Sequence, residues 1–418
     1  MTYYQSTAPA PSYPELTSTL HCDVCIIGAG YAGLACAAGL IERGNSNVVV
    51  LEAEQVGFGA SGRNGGFVFG GFSLSNQSLL NALGPTRARN LYQLTLDAVQ
   101  LISKRIQRYG IECELNQNGV LLANWFDDPR ILADAQQFMR SNFNVDWELW
   151  SKEQTREQLH TERYSGALHE KNAFHFHPLK YAQGLALAMT ARGMRLFERT
   201  RAIRIDSSAA EKVVHTEHGQ IRARQVVVCC GGYLGQLVPQ LSRSVLPVAT
   251  FAMATEPLGE RLQRAMSTSA AIYDTRFAFD YYRPLPDTRL LWGGRISIFR
   301  PSDEQIAALL YRDMLKVYPQ LEGVRVEHAW SGQMSYARHQ MPQIGQLRDG
   351  VWYAMGFGGH GISTTTLAGE VVAEGITHHR ELPAGLENFG LPWVFGLPGL
   401  LAVQCTYWYY ELRDWWRE

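Results

Sequence analysis

The stretch that most constrains this chain runs from Asp23 to Glu52. Asp23 to Ile27 is a short apolar run with β-branched members, the pattern of a strand buried in a parallel sheet. It enters Gly28-Ala29-Gly30-Tyr31-Ala32-Gly33, continues as the helical pattern Leu34 to Arg43 and stops at Gly44-Asn45. A second apolar strand, Asn47 to Leu51, then ends in Glu52. The first glycine permits a tight turn, the second lets a pyrophosphate approach the backbone, and the third lets helix and strand pack closely. The helix N-terminus then faces the phosphates, and Glu52, 24 residues after Gly28, can accept hydrogen bonds from ribose hydroxyls. The glycine string alone is a weak signal, because Gly57 to Gly62 and Gly356 to Gly361 repeat it. Only the first copy has strand, helix and acid around it, so the chain is expected to be α/β with a dinucleotide site near its N-terminus.

A second glycine-rich segment, GFGASGRNGGFVFGG at residues 57 to 71, follows Glu52 almost at once. It offers many backbone N–H groups without side-chain bulk, which suits a flat, polar ring. That favours FAD over a nicotinamide cofactor, whose enzymes normally give the substrate a separate domain after the nucleotide fold is complete. Arg63, Asn64 and three phenylalanines (Phe58, Phe67, Phe69) are poor material for a flexible linker. Two later segments bring backbone towards the same cofactor. Val226 to Cys230 reads as a strand entering Gly231-Gly232, and Gly356 to Gly361 precede a helical pattern from Ile362 to Ile376, with Ser363 and Thr364 as possible caps. A helix start there places positive partial charge where a reduced flavin develops negative charge. The glycine surplus has the same address: 12 of the 39 glycines lie between Gly28 and Gly71.

Charge narrows the partners. Lys plus Arg (38) nearly cancels Asp plus Glu (39), so no basic field exists to hold nucleic acid. Seven cysteines and no signal-like pattern in residues 1 to 20 suit reduced thiols in the cytoplasm. No metal is expected: Cys22 and Cys25 should point to opposite strand faces, and His175 and His177 lack further ligands. No charged residue occurs between Glu387 and Glu411, but Pro392, Gly396, Pro398 and Gly399 argue against one continuous membrane helix. The aromatic segment from Tyr407 to Trp416 has three readings: docking on the protein itself or a second subunit, lying in a bilayer interface at the inner membrane face, or spanning.

The motifs GAGYAGL, VVVLEA, GFGASGRNGG, HFHP, DYYRPLPDTRLLWGG, RHQMPQIGQL and GFGGHGISTTTLAGE, taken in order, resemble the D-amino-acid-oxidase-type FAD family. That family includes glycine and sarcosine oxidases, and within it the likeness is nearest to the bacterial gamma-glutamylputrescine oxidases. The resemblance implies a discontinuous Rossmann-like FAD-binding domain with a central parallel sheet (residues 21–84, 151–240 and 326–385). It also implies an antiparallel-sheet substrate domain of α+β type (85–150 and 241–325), with an N-terminal arm (1–20) and an aromatic tail (386–418). It places Gly28, Gly30, Gly33, Glu52, Ser61, Arg63, Asn64, Gly65, Gly66, Gly359, His360 and Gly361 on cofactor-contacting motifs; Gly231, in the turn after the strand Val226 to Cys230, and Gly358 and Ile362, beside Gly359 and Gly361, are expected to bind the cofactor as well. The sarcosine-oxidase branch attaches its flavin through a cysteine, and none occurs here between Cys230 and Cys405, so the FAD is expected to be noncovalent. That branch also carries a lysine after its GHG, where this chain has Ile362 and Ser363, which puts oxygen reactivity in question.

The expected step is hydride transfer from the carbon beside an amine to flavin N5, followed by hydrolysis of the imine to aldehyde and ammonia. The electron acceptor is oxygen, giving H2O2, or a quinone; the rival from another class is a flavin-binding regulatory protein without turnover. Tyr281 and Arg283 share a strand face and are the first candidates to meet an amine and a carboxylate. Arg295 and Arg338 are alternatives for the carboxylate. His360 is either catalytic or structural, and Trp330 either core or part of an aromatic cage. The oligomeric state is left open.

Overall fold

Runs of valine and isoleucine buried on both faces build the centre of the first sheet. The computed structural model describes residues 1–9 and 11–418. Strands Gln343–Gln346, Trp352–Met355, Gln220–Val228, Thr19–Ile27, Val48–Leu51 and Arg195–Phe197 lie side by side in that order. Thr19–Ile27 pairs in parallel with both of its neighbours, bringing Ile27 beside Leu51 and Val228. Helices Tyr31–Glu42 and Gly361–His378 pack together against this sheet. The helix Asn76–Tyr109, bent at Gly84-Pro85, joins them through buried Arg105, which donates to Glu42 at 2.7 Å and also to Glu370.

The second sheet runs Val326–Ala337, Val245–Thr255, Leu290–Ser297, Asp280–Pro284, Ala271–Asp274, Val120–Ala123, Ala167–Glu170, Glu148–Trp150. It is antiparallel except where Ala271–Asp274 runs parallel to Val120–Ala123. The helix Asp303–Val317 covers it with Ile306, Leu310, Met314 and Val317, one helical stripe.

Several expectations are corrected. Ala167–Glu170 and Val326–Ala337, expected in the FAD-binding part, are strands of the second sheet. The helix from Asn76, expected with the substrate part beyond residue 84, packs on the first sheet's core. The N-terminal arm, expected to run to residue 20, ends sooner, because Thr19 already belongs to the first strand; within it Tyr3 and Tyr4 are buried, Tyr4 edge-on to Trp330 at 5.5 Å. Cys22 and Cys25 join one apolar cluster instead of separating. Pro398 lies in the first turn of a helix spanning Leu397–Arg417, where its missing N–H costs nothing, so the tail is helical to its end. Among the described residues, no helix is long and apolar enough to cross a membrane.

Candidate active site

Where the first sheet's strands end, the chain turns sharply and leaves backbone facing an open space. Gly28 donates to the Leu51 carbonyl at 2.7 Å, and the helix from Tyr31 begins three residues later. A Cβ on Gly33 would lie 1.9 Å from the Gly28 carbonyl oxygen, so only glycine lets the helix sit this close to the turn. Glu52 accepts from Ala29 N at 2.8 Å and Glu54 N at 3.0 Å; burial raises its pKa and these two bonds work against that rise. Ser61 Oγ accepts from Tyr31 N at 2.9 Å, joining the second glycine loop to the first helix.

That loop holds its own shape. Arg63 donates to the Phe58 and Ser331 carbonyls at 2.9 and 3.2 Å, and Asn64 to the Ala60 and Ser61 carbonyls at 2.9 and 3.0 Å. Both side chains are therefore engaged with main-chain carbonyls, and what the loop offers the space in front of it is largely backbone. On the far side, Gly359 N and His360 N both donate to Ser73 Oγ, at 2.8 and 3.3 Å. Ser363 and Thr364, the expected caps, do not cap: they donate to the Phe69 and His360 carbonyls. The start of the helix Gly361–His378 thus has no side-chain cap, and its free N–H groups and positive end face the cavity.

These segments enclose a cavity of about 1020 Å³. Gly28, Gly30, Glu52, Ser61, Arg63, Asn64, Gly65, Gly66, Gly231, Gly358, Gly359, His360, Gly361 and Ile362 line it; Gly33 does not, and acts through packing alone. An acid beside the first turn, a glycine loop and an uncapped helix end around one large space fit a dinucleotide cofactor such as FAD.

Tyr281 reaches the cavity, its ring against Gly65, while Tyr282 stacks on Trp292 at 4.2 Å in the second sheet's core. Arg283 does not reach it. Its guanidinium is 1% exposed and donates to the Gly65 and Phe176 carbonyls at 2.7 and 3.0 Å, so the expected carboxylate clamp instead holds the glycine loop. Arg295 lines the cavity but is held by Asp313 at 2.7 Å and by Glu411. Arg276 is likewise held by Asp274 and Asp280, at 2.6 and 2.8 Å. Arg338 is different: it lines the cavity, lies 5.5 Å from the Phe395 ring, and has no carboxylate in ion-pair range among the described residues. Trp330 is core, donating to the Arg63 carbonyl at 2.9 Å.

Aromatic side chains shape the other end: Phe69 stands edge-on to His360 at 5.0 Å and stacks with Tyr273 at 5.7 Å. Burial lowers the His360 pKa to about 4, so its ring is neutral at pH 7. Sequence reasoning missed Ser73, Tyr273 and the C-terminal helix as cavity wall; nothing local marks them, because each arrives from a distant segment.

A model for the FAD dependent oxidoreductases of the DAO type matches residues 23–375. The chain belongs to the DAO family of FAD-dependent oxidoreductases. It is 34% identical to the gamma-glutamylputrescine oxidoreductase of Escherichia coli K12 over 421 residues, 99% of this chain and 97% of that one. It is 32% identical to a probable oxidoreductase, OrdL, of Haemophilus influenzae, over 99% and 96%. The crystal structure of glycine oxidase from Geobacillus kaustophilus shares the fold, with a TM-score of 0.74 and 24% identity over 89% of this chain and 98% of that one.

Two histidines behind the DAO-family site support it while neutral. His175 Nε2 donates to the Ser269 carbonyl at 2.8 Å and its Nδ1 faces Arg283; His177 Nδ1 accepts from Lys180 N at 3.2 Å, capping the helix Pro178–Thr190. Burial first, then nearby Arg283 for His175 and Lys180 for His177, lowers each pKa to about 3. Unfolded imidazoles protonate near pH 6.5, so between there and about pH 3 the unfolded chain binds more protons. Each histidine's stabilising contribution is therefore complete above pH 6.5 and is lost as pH falls, by at most about 1.4 kcal/mol per pH unit. Melting temperature should drop on acidification below pH 6.5 and drop less steeply in His175→Gln; identical slopes would reject this account.

Proposed function

We propose that this chain oxidises an amine that also carries a carboxylate, of the gamma-glutamylputrescine type, with noncovalently held FAD. One observation carries the proposal: at a cavity whose other arginines are engaged, Arg338 has no anionic partner. A guanidinium there suits a carboxylate through paired, charge-assisted hydrogen bonds. The only carboxylates among the described lining residues are Glu52 and Glu54, beside the first glycine turn. The aromatic end near Phe69, Tyr273, Tyr281 and His360 thus has no anion to hold an ammonium ion, so burial favours the neutral amine whose lone pair the reaction needs. The amine loses a hydride from its α-carbon and a proton from nitrogen, and water converts the imine to aldehyde and ammonia. Bound FAD supplies the two-electron acceptor, and oxygen as reoxidant yields H2O2.

Anaerobic mixing of the yellow protein with a panel of amines and amino acids tests this. Bleaching by a carboxylate-bearing amine, followed by peroxide when air is readmitted, is the expected result. Reduction without peroxide would move the assignment to a quinone-linked dehydrogenase. Acid precipitation should leave all the flavin in solution. Arg338→Ala should raise KM for the carboxylate-bearing amine about 10- to 100-fold and hardly change it for a plain diamine, the loss of one charge-assisted contact. Equal changes for both would remove Arg338 from substrate recognition.

A further inference from the structure

The C-terminal helix Leu397–Arg417 is turned the opposite way from an ordinary surface helix. Its polar groups face inward. Gln404 accepts from Ile298 N at 3.0 Å, Asp414 from Phe277 N and Ala278 N at 2.8 and 3.1 Å, Glu418 from Trp125 Nε1 at 2.6 Å, and Glu411 pairs with Arg295. A stripe of its apolar groups faces out. Leu401, Cys405, Trp408, Leu412 and Trp415 recur at spacings of four, three, four and three, one continuous stripe, with Trp408 52% and Trp415 70% exposed. Phe299 extends the stripe by stacking on Trp408 at 6.4 Å, and Trp393 and Phe395 precede it. More than half of the exposed large apolar side chains among the described residues lie between Trp393 and Trp416.

We propose that this face docks on an anionic lipid bilayer, with the helix lying in the plane of the interface. Two features select that occupant. Tryptophan, tyrosine and leucine exposed together on one helix face are the chemistry of the bilayer interface, where amphipathic rings settle at the headgroups. The charges are sorted as well. Both acids of the helix, Glu411 and Asp414, and its C-cap Glu418 are bonded to the protein, whereas Arg413 and Arg417 are exposed on its flank, 4.5 and 4.2 Å from the rings of Tyr410 and Phe126. Arg300 follows Phe299 at the stripe's edge. A rim of free bases around an apolar stripe complements anionic headgroups, whereas a two-fold contact with a second copy would set the helix's bases against each other with no free acid of the helix to pair them. The helix's inner side, through Val403, Thr406 and Tyr407, lines the cavity, so docking would hold one wall of the active site against the membrane.

Flotation of the full-length, FAD-loaded protein with vesicles tests this. It should float with vesicles containing phosphatidylglycerol and less with pure phosphatidylcholine. The combined Trp408→Ser, Leu412→Ser and Trp415→Ser variant should lose at least about tenfold in partition while keeping its flavin. Arg413→Gln with Arg417→Gln should lose about 30-fold on the anionic vesicles alone; if the first variant fails to fold, this pair decides. The proposal is overturned if the unaltered protein stays with the unbound fraction, if neither variant reduces flotation, or if sedimentation shows a dimer that the first variant dissociates without any vesicle binding.

Discussion

Gly33→Val should abolish FAD retention. The new Cβ would begin 1.9 Å from the Gly28 carbonyl oxygen and 3.2 Å from Ile26 Cγ2, and neither can withdraw, because one is main chain in the turn and the other belongs to the strand beneath it. Relief requires the helix Tyr31–Glu42 to move off the sheet, which moves the turn that faces the cofactor and opens the core that Leu34 and Ala38 fill. Overpacking of this kind costs about 1–3 kcal/mol or more. The absorbance ratio of flavin to protein after gel filtration reads the first effect and the melting temperature the second. Gly44→Ala is the control: Gly44 has a positive φ, 88°, but a Cβ there meets nothing within 4 Å. It should cost about 1–2 kcal/mol from the left-handed backbone and leave the flavin in place. A fully yellow Gly33→Val protein with unchanged melting would refute the packing role.

Arg283→Ala should be the second most damaging change, through structure and not substrate recognition. The guanidinium is buried beneath the glycine loop and bonded to two carbonyls, which would lose their partners in a space that closes poorly. Each orphaned buried group costs about 1–3 kcal/mol, so about 2–5 kcal/mol is expected, with weakened FAD retention because the Gly65 region loses its support. KM should shift by the same factor for a carboxylate-bearing amine and a plain diamine. A shift confined to the carboxylate-bearing amine would restore Arg283 as a clamp and displace Arg338.

Legibility from sequence followed the range of the interactions involved. The turn from Gly28 to Glu52 was readable because strand, glycines, helix and acid are consecutive, and each carries a spacing that its own geometry demands. The expectation that Tyr281 and Arg283 share a face holds as well, since strand alternation is local: both side chains point at the Gly65 region. What alternation cannot say is where a side chain stops. Gly65 lies 218 residues before Arg283, and nothing near position 283 announces that its carbonyl will be waiting. The domain boundaries failed for the same reason, because Ala167–Glu170 finds its sheet partner in Val120–Ala123.

The sequence by itself determined the cofactor class and the family, because dinucleotide binding is written in backbone conformation, and glycine spacing specifies backbone conformation locally. Tertiary structure alone decided which cations are free. Arg283, Arg295 and Arg276 are neutralised or engaged by groups that the folded chain brings to them, and Arg338 is left without one. It also decided which side of the aromatic tail meets the protein. Helical periodicity separates the two faces of Leu397–Arg417, but the polar face turned inward because Arg295 and the main-chain N–H groups of Phe277, Ala278 and Ile298 already stood there in need of partners.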